Sequence, residues 1–458
     1  MSSHERDLTR GPISEHLRAL AIPAAISLLS ITLYNVTDTF FAGLVSAEAQ
    51  AGLGVGSQIF FGVTAVGIGL RVGLSALVGQ ELGRKDPDAA RLVAARGLGV
   101  TAGFTVLAMI AGYALLPSVI AAVTAAGAYR DAAIDYVLWL LLAAPGFVIT
   151  PALSGILAGQ GDTQTFARGQ TLAAAANVFL DPLFIFGIDG VVPGFGLDGI
   201  AFATVACQSG LMVYMIGRTA GSSVLTGVAP GDLVPTARST SALLDQSLPA
   251  SMTLLVTVFG GLVAQSLLMR FGETAVAAYG VGFRLEQLLL LPALGVTSAL
   301  LPIVSQNMGA RKLDRVREAF WGSIRTGLTL MAAGAALIWL LGPFAVGAFS
   351  ASPEVADLAL SYLRIETLAL PCFVVLYAVQ SVLQGIGKPR FPVVVSLWRQ
   401  GLGLGLFGVL FTGPLGLGVV GMWWAVAISV FTGTVMLAVG GAFIARRQGL
   451  VSWGPADQ

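Results

Sequence analysis

Residues Gln80–Arg91 read QELGRKDPDAAR, and residues Gln306–Arg317 read QNMGARKLDRVR. Superposed, they match Gln80 with Gln306, Gly83 with Gly309, Asp88 with Asp314 and Arg91 with Arg317, all at an offset of 226 residues. The same offset pairs Pro23 with Pro249, Gly54 and Gly56 with Gly280 and Gly282, and Gly69 with Gly295. Further on it pairs Tyr136 with Tyr362, Pro145 with Pro371, and Gly159 and Gly161 with Gly385 and Gly387. Glycine is abundant at 58 residues, so one Gly match means little. One ungapped register from Pro23 to Gly387 is the signature of an internal duplication.

Composition says what is duplicated. Hydrophobic residues make up 56% of the 458 and charged residues 11%, against about 25% charged in soluble domains. Mean hydropathy is +0.84. The chain therefore reads as a polytopic helical membrane protein. A spanning helix needs about 20 apolar residues, and the first half supplies stretches near 16–43, 50–81, 93–117, 132–159, 165–187 and 197–218. The second supplies 242–270, 276–309, 319–343, 358–386, 390–412 and 416–445. These runs are continuous rather than alternating, which excludes a transmembrane β-barrel. The expected fold is all-α, with twelve transmembrane helices in two six-helix bundles. Residues 1–218 form the first bundle, 219–241 the linker and 242–458 the second.

Most of the 25 Lys and Arg flank alternate ends of these spans. The termini and the connectors after spans 2, 4, 6, 8 and 10 carry them, whereas the opposite connectors hold only Arg130 and Arg270. The positive-inside rule then puts both termini in the cytoplasm. Six spans per half give both halves the same orientation, the parallel-repeat plan of many transporters. A net charge of +1 leaves no basic footprint for nucleic acid. Both histidines, His4 and His16, sit in the polar N-terminal tail, and Cys207 and Cys372 are isolated in apolar runs. That argues against an intramembrane metal site, a catalytic triad and a disulfide framework, and no Walker lysine follows the Gly-rich runs. The chain reads as a non-enzyme without a cofactor.

The acids inside the spans are the candidate functional residues. Asp38 lies near the end of span 1 and Asp181 near the end of span 5, at similar depth. Asn177 and Asp181 are four apart and share a helix face, as do Tyr34 and Asp38. A charge there costs several kcal/mol, so by default it marks an ion or substrate site. At the repeat offset Asp38, Asn177 and Asp181 fall on Ala264, Gly403 and Phe407. Positions that keep the fold recur in both halves; these do not, which places function in the first bundle. Two acids close together in this medium cannot both ionise cheaply, which favours a proton over sodium as the coupling ion. Arg284 with Glu286, and Arg364 with Glu366, are two apart and cannot face each other along one helix. They are expected to pair between helices in a structural role. Arg71 lies near one end of span 2 and can snorkel. Pro23 sits mid-helix in span 1 and Pro182 follows Asp181, each removing a helix hydrogen bond and permitting a hinge.

Together the pattern Pro23…Asn35-Val36-Thr37-Asp38-Thr39-Phe40-Phe41-Ala42-Gly43, the Gln80…Gly83 and Gln306…Gly309 ends, Gly159-Gln160-Gly161-Asp162 and Asn177-x-x-x-Asp181-Pro182 resemble the multidrug and toxic compound extrusion (MATE) family. The acids confined to the first bundle resemble its DinF-like branch. The resemblance implies a cation site at Asp38, Tyr136, Asn177, Asp181 and Thr204, with sodium at Asp38, Asp181, Asn177 and Thr204 as the alternative to a proton. The span-7 acid of the NorM-like branch is missing here. Pro23, Tyr34 and Asn35 are expected at the substrate cavity or hinge. The implied activity is antiport: H+ or Na+ moves inward, and amphipathic, often cationic drugs or metabolites move outward. The implied setting is a monomer in a plasma membrane of the bacterial inner-membrane type. The alternative is a lipid-linked precursor flippase or polysaccharide exporter of the same superfamily, for which Arg71, Arg284 and Arg364 are sparse. A lipid-modifying enzyme would need an interfacial nucleophile or metal ligands, and none is visible.

Overall fold

The computed structural model describes residues 5–124, 126–349 and 352–449. The first half runs α1 (Ile13–Val45), α2 (Ala47–Gly83), α3 (Pro87–Val123), α4 (Ala128–Leu140), α5 (Ala144–Gly159), α6 (Gln164–Phe186) and α7 (Leu197–Ala220). The second runs α8 (Ala237–Leu268), α9 (Glu273–Gly309), α10 (Leu313–Phe349), α11 (Pro353–Glu366), α12 (Leu370–Gly385), α13 (Arg390–Leu397), α14 (Gly403–Thr412) and α15 (Gly418–Arg447). No strand occurs among the described residues; one isolated bridge joins Ile188 to Val192. Among the described residues, eleven helical stretches are long and apolar enough to cross a membrane, or twelve if α11 and α12, bent by 55° at their break, count as one span.

The chain divides into two compact units. One holds Ile26–Ser251 with the N-terminal residues up to Asp7, the other Leu8–Ala25 with the chain from Met252 onward. α1 and α8 therefore each serve both units, and the division falls two residues after Pro23 and two after Pro249. Inside the first unit α2 packs on α5, α4 and α3; inside the second α9 packs on α12, α11 and α10. The neighbours correspond one for one.

The repeated residues explain why. A Cβ on Gly69 would lie 2.5 Å from the Ser247 carbonyl oxygen, and one on Gly295 would lie 2.9 Å from the Ala21 carbonyl oxygen. Ala21 and Ser247 are themselves one repeat apart, so each unit uses a glycine to bring the equivalent helix, α8 in the first and α1 in the second, into backbone contact. Likewise the Tyr136 ring lies against Gly56, and the Tyr362 ring against Gly282. The connector after α2 carries Lys85 at φ 60° and the one after α9 carries Arg311 at φ 57°. The matched sequences thus turn through the same left-handed step. Asp86 caps α3, accepting a 2.9 Å hydrogen bond from the Ala89 amide, with Pro87 in the first turn.

The structure corrects the continuity expected of spans 4 and 10. Span 4 is interrupted by a 3-10 turn at Leu141–Ala143, and span 10 breaks after Glu366. Pro145 and Pro371 open the second segments, where a missing amide costs least. Span 11 contains a π-helical turn at Trp398–Leu402, just ahead of the Gly403 and Gly405 stretch. Such turns are uncommon and cluster at functional positions.

Candidate cation site and family

In the first unit, α1 supplies Tyr34 and Asp38 from one face, four residues apart. α6 supplies Asn177 and Asp181 in the same way, while its Phe179, 75% exposed, points to the opposite side. Asn177 and Asp181 are both 0% exposed. The Asn177 amide Nδ2 donates to Asp38 Oδ1 at 3.0 Å and to Asp181 Oδ1 at 2.8 Å. One NH2 group carries two hydrogens, and each goes to a different carboxyl group. Asn177 is therefore the clamp that brings the two acids together.

Around this clamp, Tyr34 Oη, Thr204 Oγ1, Asn177 Oδ1 and Asp181 Oδ2 are buried without a well-formed hydrogen bond. Thr204, from α7, lies beside both Asp38 and Tyr34. Orphaned buried oxygens are costly and usually await a ligand, ion or water. Tyr136, from α4, is buried within electrostatic range of both acids, with Ser57 beside its hydroxyl. Among the described residues, no basic side chain acts on either carboxyl group. The geometry thus unites Asp38, Asn177, Asp181, Thr204, Tyr34 and Tyr136. Asn35 is not among them: it points to the exposed face of α1. Pro23 lies fifteen residues from Asp38 within an unbroken α1. Sequence reasoning missed Cys207, whose thiol lies beside Tyr34. Its spacing of three from Thr204 was the available signal.

The second unit holds an acid pair that sequence reasoning did not assemble. Glu286 of α9 and Glu366 of α11 are both buried, and the Tyr362 hydroxyl donates to Glu286 Oε2. Tyr279, Tyr362 and Trp423 pack around them, with Tyr362 and Trp423 edge to face at 5.2 Å. Both carboxyl groups feel the guanidinium of Arg399, which lies over the Phe373 ring at 5.7 Å. Arg399 belongs to the π-helical turn. The arginines two residues before each acid take no part. Arg284 is exposed, and Arg364 is exposed with its guanidinium 5.1 Å from the centre of the Trp339 ring. No cluster of three or more His, Cys, Asp or Glu suited to a metal occurs among the described residues.

The sequence of the MatE family matches this chain twice, over residues 23–183 and 249–409, at the spacing of the internal repeat. Relatives span nearly the whole length. An FAD transporter of Shewanella oneidensis is 27% identical over 86% of both chains. A probable multidrug resistance protein NorM of Thermotoga maritima is 25% identical over 93% of this chain and 91% of that one. The multidrug export protein MepA of Staphylococcus aureus is 22% identical over 92% and 91%. Among solved structures, a MOP superfamily transporter from Pyrococcus furiosus has the same fold, with a TM-score of 0.91 at 24% identity over 97% and 98% of the chains. A MATE in the straight conformation gives 0.90 at the same identity and coverage. This chain is a multi-pass membrane protein and a member of the MatE family of transporters, which are not enzymes.

Proposed function

We propose that the chain is a secondary active multidrug efflux antiporter, of the DinF-like branch, driven by a cation that enters at the Asp38–Asn177–Asp181 cluster. The observation that carries this reading is a pair of buried carboxyl groups on one amide with no basic side chain acting on them. Two negative charges so placed are unfavourable by several kcal/mol. The pair therefore needs a cation in every loaded state, and loading neutralises it. A proton suits the geometry better than sodium. Both amide hydrogens of Asn177 point at the carboxyl oxygens, where a metal ion would sit. Sodium would require Asn177 to turn its Oδ1 inward alongside Thr204 Oγ1 and Tyr34 Oη.

Coupling requires that cation and cargo favour different states of the first bundle. Pro23, two residues before α1 passes from one unit to the other, is the natural hinge. The relatives named as a probable multidrug resistance protein and a multidrug export protein support drugs as cargo. In this reading the drugs are amphipathic and often cationic, and the carrier is a monomer in a bacterial-type inner membrane with both termini cytoplasmic. The FAD transporter relative favours a second cargo, an anionic flavin nucleotide. Proteoliposomes free of sodium, given an imposed pH gradient, test both with a cationic dye and with FAD. The account expects gradient-driven movement of at least one; movement that needs sodium and ignores the pH gradient contradicts the proton assignment.

A further inference from the structure

The second unit contains a cavity that the cation chemistry does not use. It has a volume of about 890 Å3 and lies between α1, α9 and α10. Along α10 its wall runs from Asp314 to Leu330, about 24 Å at the helical rise. Its lining mixes cationic and apolar side chains. Arg18, Arg315, Arg317 and Arg325 line it against only Asp314 and Glu318.

The four arginines are not equivalent. Arg315 is spent on structure: Nε donates to Asn307 Oδ1 at 3.0 Å, Nη1 to the Gly11 carbonyl at 2.8 Å and Nη2 to the Leu8 carbonyl at 3.1 Å. Arg317 pairs with Asp314 at 3.2 Å. Arg18 and Arg325 are exposed and have no ion-pair partner among the described residues. The cavity is also lined by Trp321. Beyond these polar groups the walls are Leu17, Pro292, Val296 and Leu330, and Ile22 of α1, 54% exposed, stands at the edge of the groove.

We propose that this cavity binds an anionic phospholipid. The phosphate sits between the Arg18 and Arg325 guanidinium groups, the Trp321 ring flanks the headgroup and glycerol region, and an acyl chain follows the apolar wall. The charge arithmetic supports a monoanion over a zwitterion: two free guanidinium groups face one free carboxylate, that of Glu318. A free phosphate would satisfy the arginines but leave the apolar length without an occupant. Basic pockets at the ends of membrane helices have this chemistry, and tryptophan suits the membrane boundary.

The test uses the whole protein reconstituted in mixed phosphatidylglycerol and phosphatidylcholine vesicles. Lipid retained after extraction is counted by native mass spectrometry. Wild type should keep phosphatidylglycerol in preference to phosphatidylcholine. Arg18→Gln and Arg325→Gln should each lower that preference about fivefold, and together about thirtyfold. Glu318→Gln should raise it, a change of opposite sign that a folding defect would not produce. Equal retention of the two lipids, a double variant that retains phosphatidylglycerol like wild type, or a Glu318→Gln variant without increase would each overturn the proposal. Glycerol phosphate, added in excess, should not displace the lipid; displacement would assign the site to soluble phosphate instead.

Discussion

The two halves of this molecule share a backbone plan and differ in where they bury charge. In the first, Asp38 and Asp181 meet on Asn177, and no basic side chain among the described residues acts on them. In the second, Glu286 and Glu366 lie within range of Arg399. Neither set is a copy of the other: Glu286, Glu366 and Arg399 fall on Phe60, Leu140 and Ala173 one repeat earlier. What the halves do share is the tyrosine beside each acid pair, Tyr136 and Tyr362, each resting on its glycine. The two copies share their helix packing and bury charge at different positions. An acid pair that lacks a fixed counter-charge must borrow a mobile one, whereas a pair with a built-in guanidinium is closer to a structural network. Under the proposed function, the first serves coupling and the second holds helices together.

Asp38→Asn is the largest break in that comparison. It is nearly isosteric, still accepts from Asn177 and cannot cycle a charge. Coupled efflux should fall by about two orders of magnitude or more, as expected for a lost charge-cycling group. Thermal stability should be unchanged or raised. Drug resistance at the wild-type level, from a well-expressed variant, would remove the first unit from the mechanism.

Arg399→Met should behave in the opposite way. It leaves two buried carboxyl groups without their guanidinium, and losing one partner of a buried charge network costs about 3–5 kcal/mol. The expected result is a clear drop in melting temperature and expression. If the variant is as stable as wild type but uncoupled, the second acid cluster is functional and the asymmetry described above is wrong.

The shared plan is probed by Gly56→Ala and Gly282→Ala. The added Cβ would approach the Tyr136 ring to 2.9 Å and the Tyr362 ring to 2.4 Å. Overpacking of this kind costs about 1–3 kcal/mol, so both variants should lose stability, Gly282→Ala somewhat more. A loss at one glycine only, read by thermal unfolding, would mean that the equivalence of the tyrosine seats is superficial. Smallest is Pro23→Ala. Restoring one helix hydrogen bond should stiffen α1 and slow turnover several-fold while leaving substrate affinity within about twofold. Turnover at the wild-type rate would make Pro23, like Pro249, merely architectural.

Much of this was legible before any coordinates. The ungapped 226-residue register announced two equivalent bundles, and the i, i+4 spacing of Asn177 and Asp181 placed both on one face. That Asp38 would meet them followed from similar depth and the absence of a repeat counterpart. The unread parts share a physical cause. A hydropathy window averages over the three-residue interruptions at Leu141–Ala143 and after Glu366, so spans 4 and 10 read as continuous. The π-helical turn rotates Arg399 by an amount that no regular periodicity encodes, and its partners Glu286 and Glu366 come from helices distant in sequence. Adjacent Arg284 and Arg364 were the visible candidates, yet a spacing of two puts each on the exposed side of its helix while the glutamate turns inward.

The central claim is that the mobile charge resides in the first unit. It is tested most directly by counting protons released when a transported dye binds purified protein in weakly buffered, sodium-free solution. Wild type and Glu286→Gln should both release protons on binding, while Asp38→Asn and Asp181→Asn should release none. Proton release that survives both aspartate substitutions, or disappears with Glu286→Gln in a folded protein, would contradict the account.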